Sequence, residues 1–261
     1  MLEETATVVS NRCEVGLYFQ LVLHAPGIAS RVQPGQFVHV RIPSLRDALL
    51  RRPFSVFDAS GEIIRIIYKI VGKGTVAMAR LRDGEELSVL GPLGRGFSVP
   101  GASDETPLLV AGGYGMAALY LLARRAGRKG IVFSGARGRT DVLCEAEFRS
   151  LGWEVRVTTE DGSYGERGIV TQPVRAELER GSVGRKLFAC GPIPMLEAVA
   201  KLGEEFNVPV EVSLDRHMCC GVGACLTCVV PVRSGDGWEY QRACTEGPVF
   251  DGRRIAWEVG L

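Results

Sequence analysis

Thr106-Pro-Leu-Leu-Val-Ala-Gly-Gly-Tyr-Gly-Met-Ala-Ala-Leu-Tyr-Leu-Leu-Ala123 runs for eighteen residues without a charge, and two architectures compete for it. An uncharged stretch of that length approaches what a membrane-spanning helix needs. Gly112, Gly113 and Gly115 argue against a span, because they break the stretch directly after the apolar run Leu108–Ala111. A buried strand, a tight turn and an apolar helix from Met116 to about Ala126 fit better, since glycine supplies the freedom that a strand-to-helix corner requires.

The same alternation continues downstream. Ile131–Ser134, Glu154–Thr159, Lys186–Ala189 and Val210–Leu214 read as strands. Asp141–Leu151, with Asp141 as N-cap, Thr171–Glu179 and Pro192–Phe206 read as helices. Strands alternating with helices imply a parallel sheet covered on both faces, and such sheets bind ligands beyond the carboxyl ends of their strands. Two corners sit at such ends. Gly112-Gly113-Tyr114-Gly115 offers helix-start N–H groups to a phosphate, although it lacks the spaced G-x-G-x-x-G fingerprint. Cys190-Gly191-Pro192 is the second; its cysteine reads equally as an inert buried thiol. Asp161-Gly162-Ser163-Tyr164-Gly165, after another strand, reads as a surface turn or a further ligand loop.

Upstream the period changes to that of strands. Thr5–Ser10, Gly16–His24, Gln36–Ile42, Phe54–Asp58, Ile63–Val71 and Glu85–Leu90 are short strand candidates, with Leu17, Phe19, Leu21 and Leu23 on one face of the second. Many short strands with one small helix near Thr75–Leu81 suggest an antiparallel barrel. Arg52-Pro53-Phe54-Ser55 combines a phosphate anchor, an aromatic face and a hydroxyl. Gly72-Lys73-Gly74-Thr75 opens the helix as a pyrophosphate seat would. Either motif alone also reads as a surface charge or a turn.

Composition bounds the function. With 31 basic and 30 acidic residues, and a net charge of +1, the chain lacks the basic footprint of a nucleic-acid binder. The apolar 46% and charged 23% are those of a globular protein. Met1–Thr5 is acidic without an apolar run to follow, so no signal peptide and a reducing, cytoplasmic setting are expected.

Five of the eight cysteines fall between 219 and 244. Cys220, Cys225 and Cys228 follow C-x4-C-x2-C, and Cys244 comes after fifteen more residues. That is plant-type spacing for a [2Fe-2S] cluster, in which one tight loop gives three thiolates and a distant segment the fourth. A disulfide framework suits a small secreted chain instead. Structural zinc usually takes two close C-x2-C pairs, and no C-x-H pair exists for Rieske ligation. Cys219 is an extra thiol beside the first ligand.

In this order, R-x-[FY]-S, G-x-G-T, G-G-x-G and C-G-P resemble the ferredoxin–NADP reductase superfamily. Ser213-Leu214-Asp215-Arg216 before the cysteines, and Cys244-Thr-Glu-Gly-Pro-Val-Phe250 after, narrow the resemblance to the electron-transfer subunit of NAD-linked, class B dihydroorotate dehydrogenase. It extends over residues 1–261. The resemblance implies an antiparallel FAD-binding β-barrel over 1–100, a parallel-sheet α/β domain for NAD over 101–212 and a small [2Fe-2S] domain over 213–261. It places Arg52, Pro53, Phe54, Ser55, Ile67, Tyr68, Lys69, Gly74 and Thr75 on FAD. Gly112, Gly113, Gly115, Cys190, Gly191 and Pro192 would border the nicotinamide nucleotide, and Cys220, Cys225, Cys228 and Cys244 would hold the cluster. The resemblance further implies an FMN-containing catalytic partner that oxidises dihydroorotate to orotate, in a tetramer of two plus two, so no proton-transfer catalyst is expected here. The sequence departs from the family where Ala118 replaces a proline and Tyr114 is bulky. Arg137 and Arg139 stand where a 2′-phosphate would sit, so the choice of NAD comes from the family. Rival readings are a reductase subunit of a hydrogenase, sulfide dehydrogenase or ferredoxin-linked complex, and a zinc-stabilised module without redox chemistry.

Overall fold

The computed structural model describes residues 1–45 and 50–261. The first third supplies β1 (Leu2–Val15), β2 (Tyr18–His24), the single turn α1 (Pro26–Ala29), β3 (Phe37–Arg41) and β4 (Arg52–Ser55). It continues with β5 (Asp58–Ser60), β6 (Ile63–Lys69), α2 (Lys73–Met78) and β7 (Glu86–Leu93). Seven strands pair antiparallel in the order β4-β3-β7-β1-β2-β6-β5. The sheet curls until Phe54 on β4 meets Tyr68 on β6, with ring centroids 6.0 Å apart. On β6, Ile64, Ile66 and Tyr68 point inward while Arg65 points out, the strand period of two.

Two strand expectations shift locally. Leu17 is exposed because it falls in the turn between β1 and β2, and Tyr18, the first residue of β2, is buried instead where it meets Lys69 and Asp141. The expected strand Phe54–Asp58 divides at Val56 and Phe57, which are buried between β4 and β5.

The second unit contains β8 (Thr106–Gly112), α3 (Met116–Arg125), β9 (Ile131–Ala136), α4 (Glu145–Ser150) and β10 (Glu154–Thr159). It continues through β11 (Glu166–Arg167), α5 (Thr171–Arg180), β12 (Arg185–Cys190), α6 (Ile193–Glu205) and β13 (Val210–Ser213). The sheet order is β11-β10-β9-β8-β12-β13-β16, the last being Val249–Asp251, and it is parallel as far as β13. Leu108 and Val110 pack towards α5 and α6, while Leu109 and Ala111 pack towards α3 and α4. The helix expected from Asp141 begins only at Glu145; Asp141 closes a 3-10 turn and spends its carboxylate on the barrel. From Met116 to Ala123 helix α3 is apolar all round because it is buried twice, and its only charges are Arg124 and Arg125 in the last turn. One side covers the sheet; the other meets the barrel, where Tyr120 stacks on Phe57 at 4.3 Å and Arg124 pairs with the buried Asp58. Among the described residues no helix is long and apolar enough to cross a membrane.

The remainder forms the cysteine loop, the hairpin β14 (Val229–Ser234) and β15 (Gly237–Arg242), and β16 (Val249–Asp251). β16 pairs antiparallel with β13, so this last segment completes the edge of the parallel sheet.

Candidate functional site

A cavity of about 220 Å³ opens between the barrel and the α/β unit. β4 gives it Pro53, Phe54 and Ser55, and β6 gives it Ile67, Tyr68 and Lys69. Curling of the barrel sheet puts these two strands face to face. Tyr68 donates its hydroxyl hydrogen to Asn11 Oδ1 at 3.0 Å, and burial pushes its phenol up to about 12. It is therefore a neutral aromatic wall. At the other edge Lys69 Nζ donates to Tyr18 Oη at 3.0 Å and to Asp141 Oδ1 at 3.1 Å, while Tyr18 donates to the same carboxylate oxygen at 2.7 Å. These contacts hold the Lys69 ammonium charged, first through Tyr18 and then through Asp141. Asp141 is held below the ordinary carboxylate range, chiefly by the Tyr18 hydroxyl.

Arg52 lies off the cavity wall, against the turn that opens α2. A methyl added to Gly74 would sit 3.0 Å from Arg52 Nε, so the guanidinium and the helix start share one place. Thr75 lines the cavity, but its hydroxyl is already engaged: it donates to the Gly72 carbonyl at 3.1 Å and accepts from Val71 and Gly72 N–H at 2.8 and 3.2 Å. Thr75 thus shapes the turn, leaving the first-turn amides, which have no intrahelical acceptor, to face an anion.

The two glycine corners end β8 and β12, adjacent strands at which the sheet order reverses direction; this is the ligand crevice of open α/β sheets. Close packing explains the glycines. A Cβ on Gly112 would come within 2.6 Å of Pro192 Cδ, and one on Gly115 would strike the Cys190 carbonyl. Gly115 and Cys190 reach the cavity, with Gly112, Gly113, Gly191 and Pro192 in the corners behind them. Burial, reinforced by nearby Asp215, pushes the Cys190 thiol up to about 12, so it stays protonated. Tyr114 donates to Asp215 Oδ2 at 3.1 Å and ties this corner to the segment that leads into the cysteine loop.

That loop presents two thiol pairs. Cys220 Sγ accepts from Ala224 N–H at 3.3 Å and from Val222 N–H at 3.5 Å, made possible by positive φ at Gly221 (70°) and Gly223 (81°). Hydrogen bonds from Thr227 and then from Cys220 lower the exposed Cys225 thiol to about 6. Cys228 and Cys244 are buried neighbours, and desolvation followed by the Cys228 thiol pushes Cys244 up to about 12. Ala243 N–H donates to the Cys228 carbonyl at 2.9 Å, which fixes the fourth thiol beside the third. Arg242 clamps the turn through Glu246 at 2.6 Å and donates to the Gly223 carbonyl at 3.2 Å. The Arg242 contacts depress the Glu246 carboxyl to about 2.

These donors fit a two-iron cluster, which takes two thiolates on each iron. A single tetrahedral zinc instead gathers its ligands around one point. Among the described residues no three Cys, His, Asp or Glu side chains make that arrangement. Cys220, not Cys219, receives the loop amides. The barrel cavity likewise fits a flavin: aromatic walls for the ring, and an arginine beside a helix start for the phosphates.

Several lining residues escaped sequence reasoning. Phe37, Met218, Ser213 and Leu214 also line the cavity. The position of Ser213 at a strand's carboxyl end was the available signal. Tyr18 and Asp141 gave none, because their contact joins distant segments.

Comparison with known proteins agrees. The family described as the iron–sulfur cluster binding domain of dihydroorotate dehydrogenase B matches residues 215–256. The electron transfer subunit of dihydroorotate dehydrogenase B (NAD(+)) from Shouchella clausii is 42% identical over 89% of this chain and 90% of its own. The corresponding subunit from Geobacillus kaustophilus is 41% identical over 95% of this chain and 96% of its own. A chain of NADH-dependent reduced ferredoxin-NADP oxidoreductase superposes with a TM-score of 0.84, at 30% identity, over 97% of this chain and 90% of that one. Phthalate dioxygenase reductase shares the fold with a TM-score of 0.66, at 16% identity, over 90% of this chain and 88% of that one.

Proposed function

The chain belongs to the electron transfer subunits of NAD-linked dihydroorotate dehydrogenase B, and from this premise we propose how its residues divide the work. It is an oxidoreductase component that passes electrons between dihydroorotate oxidation in a catalytic partner subunit and NAD, using FAD and a [2Fe-2S] cluster. Bound FAD would supply hydride exchange with the nicotinamide and one-electron exchange with the cluster.

In our reading Phe54 and Tyr68 would give the flavin its aromatic wall, and Pro53, Ser55, Ile67 and Lys69 would complete its slot. Arg52, Gly74 and the turn held by Thr75 receive the pyrophosphate. Gly112, Gly113, Gly115, Cys190, Gly191 and Pro192 seat the nicotinamide nucleotide, with the protonated Cys190 thiol as an uncharged wall that takes no proton itself. Cys220 and Cys225 bind one iron, and Cys228 and Cys244 the other. The segments divide near 100 and 212. We also assign a cytoplasmic setting, which reduced thiols require, and a tetramer of two catalytic and two electron-transfer subunits.

One observation carries this reading: the inner wall of the flavin slot is also the back of the cysteine loop. Phe37 lines the slot, its β3 neighbour His39 touches Gly221, and Met218 belongs to both. Electron carriers seated in these two places would be close neighbours. The test is the absorption spectrum of protein made with iron and flavin available. Flavin and iron–sulfur bands together are expected. Stoichiometric zinc with neither band would overturn the assignment.

A further inference from the structure

β3 places a histidine in the otherwise apolar run Phe-Val-His-Val that precedes its exposed Arg41, and His39 is fully buried at 0% exposure. Neither Nδ1 nor Nε2 has a hydrogen-bond partner among the described residues. A buried N–H without an acceptor is costly, and native proteins rarely leave one so. The ring is held in place by Phe37, 5.6 Å away between centroids. Its nitrogen-bearing edge faces the cysteine loop: a methyl built on Gly221 would lie 2.7 Å from Cε1, 2.9 Å from Nδ1 and 3.0 Å from Nε2. The loop tolerates this ring only because residue 221 has no side chain.

We propose that His39 donates its imidazole N–H to a sulfur of the cluster held by Cys220, Cys225, Cys228 and Cys244, and so raises the cluster's reduction potential. The inference rests on the cluster reading above. The loop already gives Cys220 Sγ the N–H groups of Val222 and Ala224. His39 adds a donor from the barrel, so the potential depends on how the flavin-bearing domain seats against the loop. Donors to cluster sulfur stabilise the added electron, which is why they tune potential. His39 is a positioning and tuning residue; it transfers no proton.

The chain has three histidines, so labelling them with 15N makes the test selective. Pulsed EPR of the reduced cluster should show 15N coupling in the unaltered protein and in His217→Gln, and none in His39→Gln. In potentiometric titration His39→Phe should lower the reduced-to-oxidised ratio at fixed poise about tenfold, or ~59 mV for one electron. His39→Gln, which keeps an N–H, should lower it less. A normal cluster signal without histidine coupling, or an unchanged potential in His39→Phe, would overturn this proposal alone. A chain that takes up no [2Fe-2S] cluster would overturn the cysteine assignment and this proposal with it.

Discussion

Cys225 and Cys244 mark the two extremes of one donor set. The first is exposed with its thiol lowered to about 6, by Thr227 and then Cys220; the second is buried and pushed up to about 12, by desolvation and then Cys228. Cys225 therefore sits on the solvent side of the loop, and the buried Cys228 and Cys244 anchor it from within. Cys225→Ser should abolish the iron–sulfur absorption while FAD stays bound, checked by iron and flavin content. Full cluster content would contradict the ligand set. Gly221→Ala should also lose cluster, because the residue sits at φ 70° and the new methyl would strike the His39 ring. The left-handed backbone alone costs about 1–2 kcal/mol with a Cβ. An alanine variant with full iron content and an unchanged denaturation midpoint would show that the ring and loop are not packed as described. At this scale the candidate ligands were legible as a set, since thiol spacing is local. The ring behind them was not: a polar residue alternating with valines reads as an outward-facing position, and only the folded barrel shows it inside.

Elements were legible where a sequence period or a corner announced them. The parallel strands followed from apolar runs that end in glycine, and the barrel followed from short alternating runs. β14 was hidden because Pro231 argues against a strand, and β15 because Trp238 and Tyr240 leave it exposed on a ribbon that pairs only with β14. β16 has three residues, too few to show a period. The misplaced start of α4 has a physical cause in the Tyr18–Asp141–Lys69 bridge, which joins two barrel strands to the turn after β9. The Asp141 carboxylate, held below its ordinary value of 3.8, contributes stability above that pH and loses it as the pH falls through its lower folded value. Asp141→Asn should cost about 1–2 kcal/mol at pH 7. In urea titrations at a series of pH values the deficit should shrink below pH 3.8. A deficit unchanged down to pH 2 would mean that ionisation of Asp141 does not stabilise the joint. Where the neighbouring parallel strands β8 and β12 end, Gly115→Ala should destabilise the fold by about 1–3 kcal/mol, because its methyl would overpack against the Cys190 carbonyl. It should also weaken NADH binding while the cluster's EPR signal stays intact. Normal NADH affinity would move the nucleotide away from this corner.

Across the molecule, the three segments meet around one cavity. The barrel gives it aromatic walls, the parallel sheet its glycine corners, and the C-terminal segment Met218 and Pro248. Joining of these parts was legible only through motif order, because no local pattern encodes which loops converge. The proposed electron route runs from the thiol pairs to the nucleotide corners through the barrel cavity. It is tested most directly in a complex coexpressed with the catalytic subunit, assaying dihydroorotate-dependent reduction of NAD+ alongside NADH oxidation by an artificial two-electron acceptor. The unaltered complex should perform both reactions. Cys225→Ser with FAD retained should keep the second and lose the first. If Cys225→Ser still reduces NAD+ from dihydroorotate at the unaltered rate, electrons do not take this route.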